Sequence, residues 1–333
     1  ALRDQADRGR SKFDIVLLSV QRLLHRGAIT NLAKMLARMH QADVAQVIMH
    51  LSSPKEKREV FELVRGESKR GQVLSELDSD SINQVLADLL HADIAWLIKD
   101  LGPDDAAYLL GVLPEERVKE ILSLMRAEDS TEVADLLKYA KDTAGGIMTT
   151  EFFALPEDAT AQDAIRRLQL ATEAEMVFYI YVTDKDERLV GVLSLRQLLT
   201  VPPATPLRNI ATRDVISVTV DMDQEEVARQ VASYNLLAIP VIDNDNRLVG
   251  IITVDDVVDV IREEATEDML KMAGAIEEDS VSKSSSLASA KHRLPWLFTN
   301  LVGSLLSGAI LWEFRYTIQE VVAIVSFIPV IAA

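Results

Sequence analysis

One stretch of the sequence occurs twice in the middle of this chain. FYIYVTDKDERLVGVLSLRQLL at 178–199 matches LLAIPVIDNDNRLVGIITVDDVV at 236–258, so that Arg188-Leu-Val-Gly recurs as Arg247-Leu-Val-Gly. A chain with such an internal repeat builds two copies of one supersecondary unit. The repeat therefore predicts two similar small domains in tandem.

Each copy has the pattern of a mixed α and β unit. An extended start and an amphipathic helix precede two β-branched runs, which flank an Asp-rich or Asn-rich turn beginning at Asp184 or Asp243. Such turns between apolar runs favour β-hairpins. A helix follows each hairpin, with Ser194 or Thr253 at its N-cap, because a hydroxyl there can accept a hydrogen bond from a free backbone N–H.

The segment 1–140 carries helical periodicity and almost no strand signals. A short repeat in it opens with polar or proline-containing positions and ends rich in leucine, as helix-start preferences require. One such helix cannot bury its apolar face alone, so its neighbours must stack in a right-angled or superhelical array. The repeats lie at 53–64, 90–101, 102–113 and 114–125.

The run from Leu294 to Trp312 contains no charged residue. Its length matches that of a membrane-spanning helix, which needs about 20 residues. Basic residues at 291–293 directly precede the run, as expected on a cytoplasmic flank, and Gly303 and Gly308 would allow close helix contact in lipid. The alternative is a buried core helix of a soluble domain.

A second uncharged run covers Val321–Ala333 and is too short to span a bilayer. We expect it to be either the start of a second membrane helix or an interfacial segment. Further membrane helices are then expected in the complete protein.

The composition excludes several classes of function. The chain has 35 Lys and Arg against 52 Asp and Glu, a formal net charge of −17, and no cysteine. Nucleic-acid binding is disfavoured because phosphate contacts need clustered basic residues. Disulfides, thiolate zinc sites and cysteine catalysis are excluded. The five histidines are dispersed and no nucleophile motif accompanies them, so we expect no enzyme.

Acidic residues are densest directly after the second repeat. Ten carboxylates lie in 255–279, and Asp256, Asp259, Glu263 and Glu267 follow helical spacing. Like charges at that spacing destabilise a helix, and Mg²⁺ prefers oxygen ligands with several retained waters. Two interpretations stay open: a solvated acidic face and a binding site for divalent cations.

The repeated unit resembles the cystathionine-β-synthase (CBS) domain, and the order of segments is similar to the MgtE family of magnesium channels and transporters. The resemblance is carried by AGGIMT at 144–149, DQEEVARQVASYN at 223–235 and ITVDDVVDVIREEATEDMLK at 252–271. It implies a multidomain protein with an all-α superhelical N-domain, an α+β tandem CBS pair and an α-helical membrane segment. The implied domains are the N-domain at 1–140, the CBS domains at 141–200 and 201–262, an acidic linker (plug) helix at 263–290, and the start of the membrane domain at 291–333, with one full span and a truncated second.

The resemblance also implies ligands. The implied Mg²⁺ ligands are Asp104, Asp223, Glu225, Asp256, Asp259, Glu264, Glu267 and Asp268. ATP is implied near Arg196, with Thr253 as a second candidate contact; the alternative for the Ser and Thr residues of both units is a helix N-cap without a ligand. The sequence departs from the family where Gln72 and Tyr108 stand in place of acidic partners, and where Asn235 and Gln197 replace an expected acid and an expected ribose-binding Asp.

The resulting hypothesis is a Mg²⁺ channel or transporter that is gated by cytosolic Mg²⁺ bound between the N-domain, the CBS pair and the linker helix. The resemblance places it in the inner (plasma) membrane as a multi-pass homodimer, with its N-domain and CBS domains in the cytoplasm. The alternative is a membrane-anchored CBS protein that senses an adenosine nucleotide and controls a partner.

Overall fold

The computed structural model describes residues 2–170, 178–272 and 286–314. The chain divides into two compact units, Ala1–Arg262 and Glu263–Ala333, which are described separately.

The first part of the chain is an array of short helices. From α3 onward the helices begin at nearly constant spacing, so each short repeat seen in the sequence is one helix and one turn. The helices are α1 (Leu2–His25), α2 (Ile29–Arg38), α3 (Gln41–Met49), α4 (Pro54–Glu62), α5 (Glu67–Ser75), α6 (Ser79–Leu86), α7 (His91–Ile98), α8 (Pro103–Gly111), α9 (Glu115–Leu124) and α10 (Ala127–Leu136).

The helices of the array stack as the sequence predicts. α3 packs against α5, α5 against α7 and α7 against α9, while α4 packs against α6 and α8 against α10. Pro54 and Pro103 begin their helices, and the Asp78 side chain accepts a hydrogen bond of 2.7 Å from the N–H of Ser81 at the start of α6. Because each helix rests on the next but one, the buried leucine, isoleucine and valine side chains form one continuous core.

The tandem repeat folds into two small sheets with flanking helices, which confirms the predicted α+β pair. The first half contains α11 (Ala144–Ile147), β1 (Ala154–Pro156), α12 (Ala161–Leu170), β2 (Tyr179–Thr183), β3 (Leu189–Ser194) and α13 (Leu195–Thr200). The second half contains a 3₁₀ turn (Leu207–Asn209), β4 (Val218–Thr219), α14 (Gln224–Tyr234), β5 (Ala238–Ile242), β6 (Leu248–Thr253) and α15 (Val254–Met272).

Both sheets have the same topology. β1 is parallel to β2 and β2 antiparallel to β3, and β4, β5 and β6 repeat this order. The predicted hairpin turns are present: Asp184 Oδ1 accepts hydrogen bonds from the N–H groups of Asp186 and Arg188, each at 2.9 Å. Asp243 does the same in the second turn, at 2.8 Å.

The two repeat units, called CBS units here after the domain that they resemble, exchange edge segments, and this explains the repeated glycine. Thr149, which precedes the sheet of the first unit, pairs with Ile251 in β6, and Thr212, which precedes the sheet of the second unit, pairs with Val192 in β3. A Cβ on Gly250 would lie 2.9 Å from the backbone oxygen of Thr149. Only a residue without a side chain lets the exchanged segment approach this closely.

The helical array shares its core with the second CBS unit. One cluster of buried apolar residues runs from Val20 in α1 to Val260 in α15 and includes the strands β4 to β6. The first CBS unit has a separate core around Leu155, Ile180 and Leu193. The second CBS unit therefore packs against the helical array through the residues of this shared core.

Beyond residue 262, α15 continues to Met272, and α16 covers Ser286–Glu313. In the part of the chain that the structure describes, no helix combines the length and the apolar character needed to cross a membrane. The membrane span predicted at 294–312 lies within α16 and stays unconfirmed. Residues 273–285 of the predicted linker helix and the predicted second span at 321–333 lie outside the described residues.

Candidate functional site

Three carboxylates meet where the helical array contacts the second CBS unit. Asp104 lies in the first turn of α8, while Asp255 and Asp256 lie in the first turn of α15. The short helix α11 packs against both α8 and β6, and β6 leads directly into α15. Two residues that the sequence predicts as ligands, Asp104 and Asp256, are thereby brought close together, although they lie far apart along the chain.

The environment of this acidic junction (Asp104, Asp255 and Asp256) penalises its negative charge. Burial is the main cause that raises the pKa of Asp256 to about 7, and the charges of Asp104 and Asp255 raise it further. The hydroxyl of Thr253 opposes this by donating a hydrogen bond of 2.6 Å to Asp256 Oδ2. Among the residues that the structure describes, no positive charge contributes to the pKa shift of Asp104 or of Asp256, so the negative charge of this junction is not compensated by a neighbouring cation.

The environment of Asp104 also disfavours the charged form of its carboxylate. Burial raises its pKa most, and the charge of Asp255 adds to the increase. The backbone N–H groups at 104 and 105 and the hydroxyl of Thr149 donate hydrogen bonds that lower the pKa in part. Thr149 also exchanges backbone hydrogen bonds of 2.8 and 3.0 Å with Ile251 in β6. It therefore links Asp104 to the strand that ends at Thr253.

A second pair of carboxylates lies between the end of α5 and α15. Partial burial raises the pKa of Glu76, and the nearby charge of Asp259 raises it further, while His40 and Arg262 lower it. Asp259 is among the ligands that the family resemblance implies, whereas Glu76 is not. Glu76 lies one helical turn after Gln72, which occupies a position where the family resemblance implies an acidic residue. An acidic residue one turn away from that position is the signal in the sequence that points to Glu76.

The predicted ligands around α14 have local contacts. Asp223 caps α14 by accepting a hydrogen bond of 2.9 Å from the N–H of Glu225, and the Glu225 side chain pairs with Arg229 at 3.0 Å. Asn235, where an acid was expected, ends α14 in the left-handed conformation with a φ of 52°. An Asn is favoured at such a C-terminal position, which gives it a structural reason.

Beyond residue 262, three predicted ligands lie on the C-terminal half of α15. Glu267 pairs with Lys271 at 2.5 Å, and the charges of Asp268 and Glu264 contribute to the raised pKa of Lys271. Over the described residues, no group of three or more His, Cys, Asp or Glu side chains is arranged to hold a metal ion. Each candidate cation site therefore offers few carboxylate ligands, and most coordination positions of a bound Mg²⁺ would be left to water.

Ser194, at the N-cap of α13 beside the predicted nucleotide contact Arg196, is bonded within its own helix. Gln197 and Ser194 form a reciprocal capping box: the Gln197 side chain accepts from the Ser194 N–H at 2.8 Å, and the Ser194 hydroxyl accepts from the Gln197 N–H at 3.2 Å. Arg196 is exposed on α13. Thr253 donates to Asp256, so its hydroxyl already has a partner.

Comparison with known protein families finds two kinds of domain in this chain. Residues 39–142 match the MgtE intracellular N domain, and residues 144–204 and 207–263 each match the CBS domain.

Several curated relatives are similar in sequence to a part of this chain. The magnesium transporter MgtE of Thermus thermophilus is 41% identical over 198 residues, which are 59% of this chain and 44% of the relative. The magnesium transporter MgtE of Bacillus subtilis is 40% identical over 198 residues, which are again 59% of this chain and 44% of the relative. The chain thus spans less than half the length of the curated relatives it matches. Inosine-5′-monophosphate dehydrogenase of Methanocaldococcus jannaschii matches only 34% of the chain, at 25% identity.

Solved structures extend the similarity. The cytosolic domain of the Mg²⁺ channel MgtE in complex with ATP is 35% identical, with a TM-score of 0.65, and the match covers 73% of this chain and 99% of that one. The soluble part of a magnesium transporter is 31% identical, with a TM-score of 0.63, covering 76% and 99%.

Proposed function

Because the chain belongs to the MgtE family of magnesium transporters, we propose that the complete protein carries Mg²⁺ across the inner (plasma) membrane and that cytosolic Mg²⁺ controls this flux. In this proposal the helical array, the CBS pair and the linker helix form the cytosolic sensor. The transported ion and the regulatory ligand are the same cation.

The observation that supports the sensing role is the acidic junction between α8 and α15. Two unit charges 4 Å apart interact by about 4 kcal/mol at an effective dielectric constant of 20. Asp104 and Asp256 are half-buried, so water screens them poorly. A bound Mg²⁺ replaces this repulsion with a bridge between the helical array and the second CBS unit, and retains several of its waters.

The gating step is proposed to pass through α15. This helix begins next to Asp256 and continues without interruption to Met272, and its second half carries Glu264, Glu267 and Asp268. A cation that fixes the start of α15 favours one arrangement of the cytosolic domains, which is how a ligand shifts a two-state equilibrium. High cytosolic Mg²⁺ then holds the pore closed and low Mg²⁺ releases it.

Asp223, Glu225 and the carboxylates at the end of α15 are proposed as additional ligands that become complete in a homodimer. The CBS helices leave large apolar side chains exposed, among them Leu199, Tyr234 and Val258, at 64%, 58% and 50%. Such exposed apolar residues support a contact between two CBS pairs.

Limited proteolysis tests the sensing role. Trypsin cleavage after Lys271, near the end of α15, is expected to slow at least fivefold when millimolar Mg²⁺ is added, because the cation stabilises the compact arrangement that protects the helix. Cleavage after Lys185, which lies in an exposed hairpin turn, provides the internal control and should be unaffected. Equal Mg²⁺ effects at the two positions would remove the support for a specific sensor.

A second candidate function is regulation by an adenosine nucleotide, favoured by the ATP in the related cytosolic domain. Gln197 stands where a ribose-binding Asp is expected, so we expect weak ATP binding near Arg196. A carboxylate forms stronger, charge-assisted hydrogen bonds with two ribose hydroxyls. Gln197→Asp should therefore tighten ATP binding about tenfold in calorimetry, and it also keeps an N3 acceptor for Ser194. Absence of ATP binding in both proteins would exclude this second function.

A further inference from the structure

A cleft of about 280 Å³ lies between the two CBS units, at the turn ends of their hairpins. Asp184 and Arg188 line it from the first unit, and Arg213 and Ser217 from the segment that leads into β4. In the first hairpin Leu189 pairs with Thr183 whereas Ser194 pairs with Tyr179, so the cleft and Ser194 lie at opposite ends of the strands. It is therefore separate from the nucleotide contacts predicted near Arg196.

The walls of the cleft are held in place by backbone hydrogen bonds between the two units. The N–H of Leu189 donates to the carbonyl of Asn246 at 3.0 Å, and the N–H of Leu248 donates to the carbonyl of Glu187 at 3.1 Å. Arg188 is fixed at its backbone by Asp184 Oδ1, 2.9 Å from its N–H. A ligand in this position would touch both CBS units without requiring new backbone structure.

The cleft carries two guanidinium groups in a chain whose net charge is −17. Within the described parts of the chain, the side chain of Arg188 forms no ion pair. The only carboxylate paired with Arg213 there is that of Glu157, and at 3.8 Å the pair is too long for a hydrogen bond. Guanidinium groups bind phosphate oxygens through parallel N–H donors, so two of them facing one cleft favour an anion.

We propose that this cleft binds a small phosphomonoester, such as a sugar phosphate or a nucleoside monophosphate. The phosphate would lie between Arg188 and Arg213. The carboxylate of Asp184 and the hydroxyl of Ser217 supply partners for sugar hydroxyls, and Val215 and Ile242 supply an apolar wall. A volume of about 280 Å³ lies just below the usual range of ligand pockets, which limits the ligand to a small molecule.

The test is calorimetric titration of the full chain with inorganic phosphate, ribose 5-phosphate and AMP, in separate experiments without Mg²⁺. We expect at least one phosphomonoester to bind, and the double variant Arg188→Gln, Arg213→Gln to weaken that binding at least tenfold. Tighter binding of ribose 5-phosphate or AMP than of inorganic phosphate indicates that the sugar is recognised as well. Equal affinity for all three assigns the site to phosphate alone and overturns the phosphomonoester assignment.

The repeat provides a matched control. Arg247 occupies the position in the second turn that Arg188 occupies in the first, but it does not line the cleft. Arg247→Gln should leave phosphomonoester binding within twofold of the original. The proposal is overturned if none of the three compounds binds, if the double variant binds as the original does, or if Arg196→Gln alone abolishes binding. None of these outcomes depends on whether Mg²⁺ is sensed at the acidic junction.

Discussion

Replacing Asp256 by asparagine is expected to stabilise the Mg²⁺-free protein and to remove most of the stabilisation that Mg²⁺ provides. Asparagine keeps an acceptor for the Thr253 hydroxyl but removes the charge that burial and Asp104 disfavour. In urea unfolding at pH 8 without Mg²⁺, the gain should be about 2–4 kcal/mol, from a pKa shift of about three units at about 1.4 kcal/mol each, with allowance for partial screening.

The effect of this substitution on the free energy of unfolding should depend on pH. The pKa of Asp256 is about 7 in the folded protein and near 3.8 when unfolded, so between these values the folded state holds a proton that the unfolded state has lost. Stability of the original protein therefore falls as the pH rises from about 4 to 7, and the advantage of Asp256→Asn should grow over that window. Below pH 4 both states are protonated and the difference should vanish.

Magnesium should reduce or remove the stability advantage of Asp256→Asn over the original protein. A cation at 100 times its dissociation constant stabilises the original protein by about 2.7 kcal/mol, and it should stabilise Asp256→Asn by much less. Asp245→Asn, in an exposed hairpin turn, is the matched control and should respond to Mg²⁺ as the original does. If Asp256→Asn were destabilising without Mg²⁺, the interpretation of this junction as a site of unrelieved repulsion would be wrong.

Gly250→Ala is expected to cost about 2–4 kcal/mol and to weaken the link between the helical array and the second CBS unit. Its Cβ would lie 2.6 Å from the sulfur of Met148 and 2.9 Å from the backbone oxygen of Thr149. The sulfur can move, but the backbone oxygen belongs to the segment paired with β6, so relief requires breaking that pairing. Urea unfolding measures the loss.

Gly111→Ala is the matched control for this prediction. Its added Cβ would meet the flexible end of Lys141 at 3.3 Å, and alanine is favoured over glycine in a helix. Its unfolding free energy should change by less than about 1 kcal/mol. If both glycine variants were equally stable, the close approach at Gly250 would not be a constraint of the fold.

Local patterns in the sequence predict much of this architecture. The helical array follows from its short repeat, and both hairpins follow from Asp184 and Asp243, because these signals act between near neighbours in the chain. The reason for the repeated glycine is not local. Gly250 faces Thr149, which precedes the whole first CBS sheet, and only the exchange of segments between the CBS units brings the two together.

The burial of the acidic junction likewise cannot be predicted from local patterns in the sequence. Family resemblance indicates Asp104 and Asp256, but composition alone leaves the alternative of a solvated acidic face open. Their burial depends on how α8, α11 and β6 pack, which no sequence spacing specifies. Glu76 was missed for a related reason, since its proximity to Asp259 arises from the tertiary arrangement of α5 and α15.

The central claim is that Mg²⁺ at these carboxylates controls Mg²⁺ flux. The most direct measurement is Mg²⁺ uptake by the complete protein in liposomes, with the concentration of Mg²⁺ on the cytosolic side varied, for the original protein and for Asp256→Ala and Glu267→Ala. We predict that millimolar cytosolic Mg²⁺ suppresses flux through the original protein and that both variants continue to conduct at that concentration. Suppression of equal strength in the original protein and in both variants would contradict the proposal.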